Sequence, residues 1–174
     1  RGLGDVYKRQ VIDGAIANVA LPTMARMLGI SSANSIWIVN AYQLAIVVSL
    51  LSFSALGDVI GYRKIYIGGL GIFIVASLGC TLSDSLATLV TARVCQGFGA
   101  AAITSVNTTL IRLIYPRRHL GRGMGVNATV VAVSSVAGPT LASGILSIAT
   151  WPWLFAINIP IGLIACLLSY RFLP

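Results

Sequence analysis

Apolar runs about twenty residues long and free of charge recur along this chain, and they leave it few choices of fold. Ile36–Leu56, Ile65–Leu82 and Met124–Ile148 contain no Asp, Glu, Lys or Arg. A run of that length crosses the hydrocarbon core of a bilayer as an α-helix, whereas a barrel strand needs only about ten residues in apolar-polar alternation. Composition agrees. The chain has 174 residues, of which 57% are hydrophobic and 9% charged, against roughly 25% charged in an ordinary soluble domain. A soluble fold of this size has no interior large enough to hide so much apolar surface. The fold class expected is therefore an all-α integral membrane protein.

In order, the spans expected are Val11 to about Leu28, Ile36–Leu56, Ile65–Leu82, Leu86 to about Ile114, Met124 to about Ile148, and a sixth running from the Trp151-Pro152-Trp153 turn to about Phe172. Between them lie a short polar turn (Ile30–Ser35), a tight charged loop (Gly57–Lys64), a capping turn (Ser83–Ser85) and a basic loop (Pro116–Gly123). Gly138-Pro139 is expected to break the fifth span, because proline removes a backbone donor. The opening residues RGLGDVYKRQ are polar and match nothing that follows. Residues 1–10 are read as a non-native scar, with a basic cytoplasmic tail as the alternative, and residues 11–174 as a six-helix transmembrane bundle.

Net charge is +8, but the basic residues fall between apolar runs and form no single face, which argues against nucleic acid as a partner. Arg63, Lys64, Arg112, Arg117, Arg118, Arg122 and Arg171 lie on one side of the alternating loops, and Arg26 alone on the other. Basic residues favour the cytoplasm, so both ends of the six-span unit are expected there, in a cell membrane. Trp37, Trp151 and Trp153 mark the outer interface, and Tyr62, Tyr66, Tyr115 and Tyr170 the inner one. Cys80, Cys95 and Cys166 sit inside apolar segments without metal-ligand spacing and are read as packing residues. No nucleophile–base set, metal cluster or phosphate loop is present in the sequence, which speaks against an enzyme.

Arg93 is the outlier. It lies in LVTARVCQGFGAA (Leu89–Ala101), a stretch otherwise almost wholly apolar or small, and no other charge occurs from Ser85 up to Arg112. An arginine near the middle of a spanning helix costs about 2.5–3.5 kcal/mol on insertion scales and needs a partner or a wet cavity. The small residues that follow, among them Gly97 and Gly99, would let another helix approach closely. The alternative is an arginine snorkelling from a helix end toward the interface.

Five segments resemble the major facilitator superfamily, and within it the fourteen-span drug:proton antiporters. IDGAIANVALP is similar to that group's first-span motif, with Ala15 where Thr is usual. SALGDVIGYRK resembles the superfamily's loop between spans two and three through Asp58, Gly61, Arg63 and Lys64, with Ser54 and Val59 departing from it. LVTARVCQGFGAA matches the fourth-span motif at Arg93, Gln96, Gly97 and Gly99. The fifth span is similar to the antiporter motif through Gly125, Gly138, Pro139 and Gly144, with Ser134, Ala142 and Ser143 in place of glycines. WPWLFAINIPIG resembles the entry to span six, Pro152 replacing an Arg.

The resemblance implies the first half of a transporter, a 3+3 inverted repeat whose spans one and four are counterparts. These two spans carry the intramembrane charges, Asp13 and Arg93. In the resembling family such an acid and arginine are implicated in proton coupling; the alternatives for Asp13 are a structural ion pair and a helix-end carboxylate near the cytoplasm. Asp58, Gly61, Arg63 and Lys64 would form a cytoplasmic gate that latches onto the second half. Asn18, Asn40, Tyr42, Gln43 and Asn107 are polar groups within spans and could line the cavity, or equally join helices. The function implied is proton-coupled efflux of lipophilic compounds. The alternatives are an uptake symporter or metabolite exporter of the same superfamily and, in a different class, a non-transporting scaffold or channel. The partners implied are a small-molecule substrate, the lipid bilayer and the missing second half. No cofactor or metal is implied beyond the proton gradient as energy source.

Overall fold

The structure is a computed structural model that describes residues 16–114 and 116–172. Helices α1 (residues 16–28), α2 (Ser32–Ile60), α3 (Tyr62–Thr81), α4 (Leu86–Ile114), α5 (Leu120–Ile148), α6 (Pro152–Ala156) and α7 (Asn158–Phe172) follow one another, and no strand occurs among the described residues. Ile157 between α6 and α7 keeps helical dihedrals (φ −64°, ψ −24°), so the two act as one apolar passage, Pro152–Arg171. That passage and α2 to α5 are long and apolar enough to cross a membrane. Part of the first span, Val11 to Ala15, lies outside the described residues, as does the 1–10 segment.

The connections are shorter than the charge pattern suggests. Gly57–Lys64, expected as a loop, is helical on both sides of Gly61, whose φ of 103° makes the reversal. A positive φ is open to glycine and strained for residues with a Cβ. Charge marks where the chain leaves lipid, and a helix can continue past that depth with its charged side chains in water. The polar Ile30–Ser35 turn likewise shrinks. Gly29 (φ 64°) closes α1, and Ser31 caps α2 by accepting from the Asn34 amide at 3.2 Å. Before α4 the expected cap is present: Ser85 Oγ accepts from the Thr88 amide and Thr88 Oγ1 from the Ser85 amide, both at 3.3 Å. Gly138-Pro139 does not break α5, which runs from Leu120 through Pro139 to Ile148.

The centre of the bundle is α4, which packs along both α2 and α3. Lipid tails are as apolar as leucine, so apolarity alone does not drive helices together; close packing does. Gly97 lies against α2, where an added Cβ would stand 2.6 Å from the Tyr42 carbonyl oxygen and 2.7 Å from the Ala45 Cβ. Gly99 does the same against α3, 2.6 Å from the Phe73 amide nitrogen. Two glycines two residues apart thus seat one helix on two neighbours. Outside this seam Val47, Val48, Leu51, Val136 and Leu167 are exposed, a surface that a bilayer covers and water does not.

Candidate functional site

Arg93 does not snorkel. It is 0% exposed, and its guanidinium meets groups of α2, α4 and α6. Position explains why. Arg93 stands about 10 Å along α4 from Leu86, on the face that α2 and α3 cover. Its Nε donates to the Ile38 carbonyl oxygen at 3.1 Å, and Nη1 donates to Gln96 Oε1 at 2.6 Å. The charge lies 4.0 Å above the Tyr42 ring centroid and 5.6 Å from that of Phe155. A desolvated cation over an aromatic face gains about 2 kcal/mol, a substantial fraction of the insertion cost. The site is therefore a charge solvated by protein groups.

Gln96, also 0% exposed, extends that shell toward α3. Its Nε2 donates to Ser77 Oγ at 2.9 Å, and Ser77 donates in turn to the Phe73 carbonyl at 2.7 Å. The Cys80 thiol lies 3.7 Å from Gln96 Oε1. Ser77, Cys80 and Phe155 were not singled out as site residues by sequence. The one available signal was that a buried Gln next to an Arg needs more partners than α4 can supply.

The remaining candidates are dispersed. Asp13, and with it the pairing expected with Arg93, lies outside the described residues. Tyr42 is buried beneath the guanidinium. Asn107 is buried too, and its Nδ2 meets Asn127 Oδ1 at 3.5 Å, joining α4 to α5. Asn18, Asn40 and Gln43 are exposed. On α5, Gly138 is buried with Ser134 and Ala142, and Pro139 is half-buried. Gly125 and Gly144 face open space, where a Cβ would meet nothing within 4 Å.

At the basic end of the bundle, Asp58 in the last turn of α2 accepts a hydrogen bond from the Tyr62 hydroxyl across the Gly61 reversal. Arg63 reaches α7, where Nη2 donates to the Tyr170 carbonyl at 2.6 Å and the guanidinium lies 5.5 Å from the Tyr170 ring centroid. Lys64 is exposed. A cavity of about 910 Å³ opens elsewhere, between α3 and α4, with Val75, Gly79, Thr91 and Cys95 among its lining. None of the site residues lines it, and its walls are apolar, as suits a lipid-facing groove better than a polar site.

A helical membrane bundle with a protein-solvated arginine at its centre marks a functional site inside a multi-pass membrane protein. The sequence profile of the Major Facilitator Superfamily matches residues 10–174, and the chain belongs to that family. The family is one of transporters and not of enzymes. The chain is 68% identical over 164 residues to the Uncharacterized transporter YebQ of Escherichia coli (strain K12), covering 94% of this chain and 36% of that protein. It is 36% identical to the Riboflavin transporter RibZ of Clostridioides difficile (strain 630), over 94% of this chain and 36% of the relative. It is 35% identical to the Putative multidrug resistance protein MdtD of Salmonella typhi, over 95% and 35%. The chain thus spans about a third of the length of the curated relatives it matches.

Proposed function

We propose that the full-length protein is a proton-coupled efflux transporter for lipophilic compounds, with Asp13 carrying the proton and Arg93 tuning its affinity. The observation that carries this reading is the enclosure of Arg93. A permanent cation held in a buried site biases any carboxylate that approaches it toward the ionised form, and burial biases the same carboxylate toward the neutral one. An acid poised between those tendencies can load and release a proton as the cavity opens to each side. The similarity to MdtD supports a drug-like substrate. The similarity to RibZ, at nearly equal identity, supports the second reading, a carrier of a polar metabolite. Seven basic residues against one favour a cytoplasmic location for the Asp58–Arg63 end, where this gate would latch the second half. The proton gradient is the energy source in this scheme.

The test is transport by the full-length protein in everted vesicles with an imposed proton gradient, using ethidium and riboflavin as probes. Gradient-driven ethidium movement that is lost in Asp13→Asn and in Arg93→Ala is the expected outcome. Riboflavin movement without ethidium movement selects the metabolite carrier. Wild-type pH dependence in Asp13→Asn removes Asp13 from coupling.

A further inference from the structure

Gln96 faces Arg93 with its oxygen, and the cause lies one helix away. Ser77 is 0% exposed, and its hydroxyl proton is committed to the Phe73 carbonyl at 2.7 Å. A hydroxyl has a single proton, so toward its other neighbours Ser77 Oγ can only accept. The amide of Gln96 has two unlike ends, and only the NH2 end can satisfy that acceptor; it does so at 2.9 Å. The oxygen end then points to Arg93 Nη1 at 2.6 Å, with the Cys80 thiol 3.7 Å away. Reversing the amide would set two donors against each other at Arg93 and two acceptors at Ser77. Both mismatches would be buried, where each unpaired polar group is expensive. Hydrogen-bond direction therefore passes from the backbone of α3, through Ser77 and Gln96, to the guanidinium.

We infer that Ser77 is a positioning residue for Arg93, acting through the orientation of Gln96. The Ser77 hydroxyl bonds Phe73 and Gln96 and not the guanidinium itself. Its role is to make α3 decide which end of the amide α4 presents. The titratable groups that face this chain of bonds among the described residues are Tyr42 on α2 and Cys80 on α3. In its transport consequences the inference rests on the proton-coupled reading; in its structural consequences it stands apart from it.

The experiment uses the full-length transporter and two readouts. In everted vesicles, Ser77→Ala is expected to insert normally and to lower gradient-driven ethidium efflux about tenfold. Ser77→Thr keeps the oxygen and is expected to restore most of that loss. In thermal unfolding of the purified protein, Ser77→Ala and Arg93→Lys are expected to be non-additive, although the two residues share no direct bond, and the coupling should vanish in a Gln96→Leu background. Normal efflux in Ser77→Ala overturns the inference. So do strictly additive losses, or a coupling that survives removal of the amide. Failure of Ser77→Ala to reach the membrane would make the hydroxyl a folding requirement and overturn a positioning role as well. A wild-type protein that moves no ethidium sinks the efflux reading, and the unfolding cycle then judges Ser77 alone.

Discussion

Gly69 and Gly99 face each other across the α3–α4 contact. A Cβ on Gly99 would stand 2.8 Å from the Gly69 carbonyl oxygen, and one on Gly69 would stand 2.9 Å from that of Gly99. The obstacles are backbone and, for Gly69, also the Ala102 Cβ at 2.8 Å, none of which can swing away as the end of a long side chain could. Gly69→Ala and Gly99→Ala should therefore each destabilise the full-length protein by about 1–3 kcal/mol. Gly68→Ala and Gly71→Ala, one and two residues from Gly69 but turned away from that contact, meet nothing within 4 Å. They should be neutral or stabilising by about 0.5–1 kcal/mol, because alanine is the better helix former. Unfolding midpoints of the four variants measure the difference, and equal effects would refute the contact.

These glycines also show where sequence reading stops. Gly68, Gly69, Gly71 and Gly79 stand in one span and look alike in sequence; which of them meets a neighbour depends on the face that α4 happens to cover. Arg93 was legible because a charge in lipid is chemically expensive wherever it points. Ser77 was not. Serines in spanning helices bond back to carbonyls of their own helix, as Ser49 does to Ala45, and Ser77 does so too. Only its second bond, to a residue on α4, sets it apart, and no local pattern encodes that. The helix boundaries around Gly61 were missed for a third reason: the charges there report depth in the membrane and say little about backbone conformation.

Tyr42 should matter to Arg93 mainly through its ring. The guanidinium lies 4.0 Å from the ring centroid, so Tyr42→Phe keeps the aromatic face while Tyr42→Leu removes it. Leucine should cost about 1–2 kcal/mol more than phenylalanine in thermal unfolding of the full-length protein. Equal losses in both variants would assign the stabilisation to the hydroxyl.

Topology has a direct measurement. His119 lies on the exposed turn between α4 and α5, and Asp84 on the turn between α3 and α4. In a background lacking Cys80, Cys95 and Cys166, Asp84→Cys should react in whole cells with a thiol reagent that cannot cross the membrane, and His119→Cys should react only after lysis. The opposite pattern would invert the orientation drawn from the basic residues.

The last prediction separates two neighbours with the same charge. The final carbonyls of a helix lack donors within it, and Arg63 supplies one to Tyr170 near the end of α7 while stacking on its ring. Lys64 is exposed, and a solvated lysine contributes little to stability. Arg63→Ala should therefore loosen the last turn of α7, raising amide hydrogen exchange there about tenfold in the full-length protein. Lys64→Ala should leave that exchange unchanged. Asp58→Asn completes the comparison. Asp58 is held by Tyr62 and not by α7, so its loss should leave the exchange of α7 as it is while impairing transport, if the acid latches the second half. Arg63 would then be a clamp within this bundle and Asp58 the mobile partner between bundles. Unaltered exchange in Arg63→Ala would dissolve that division of labour and return both charges to the role of topology signals.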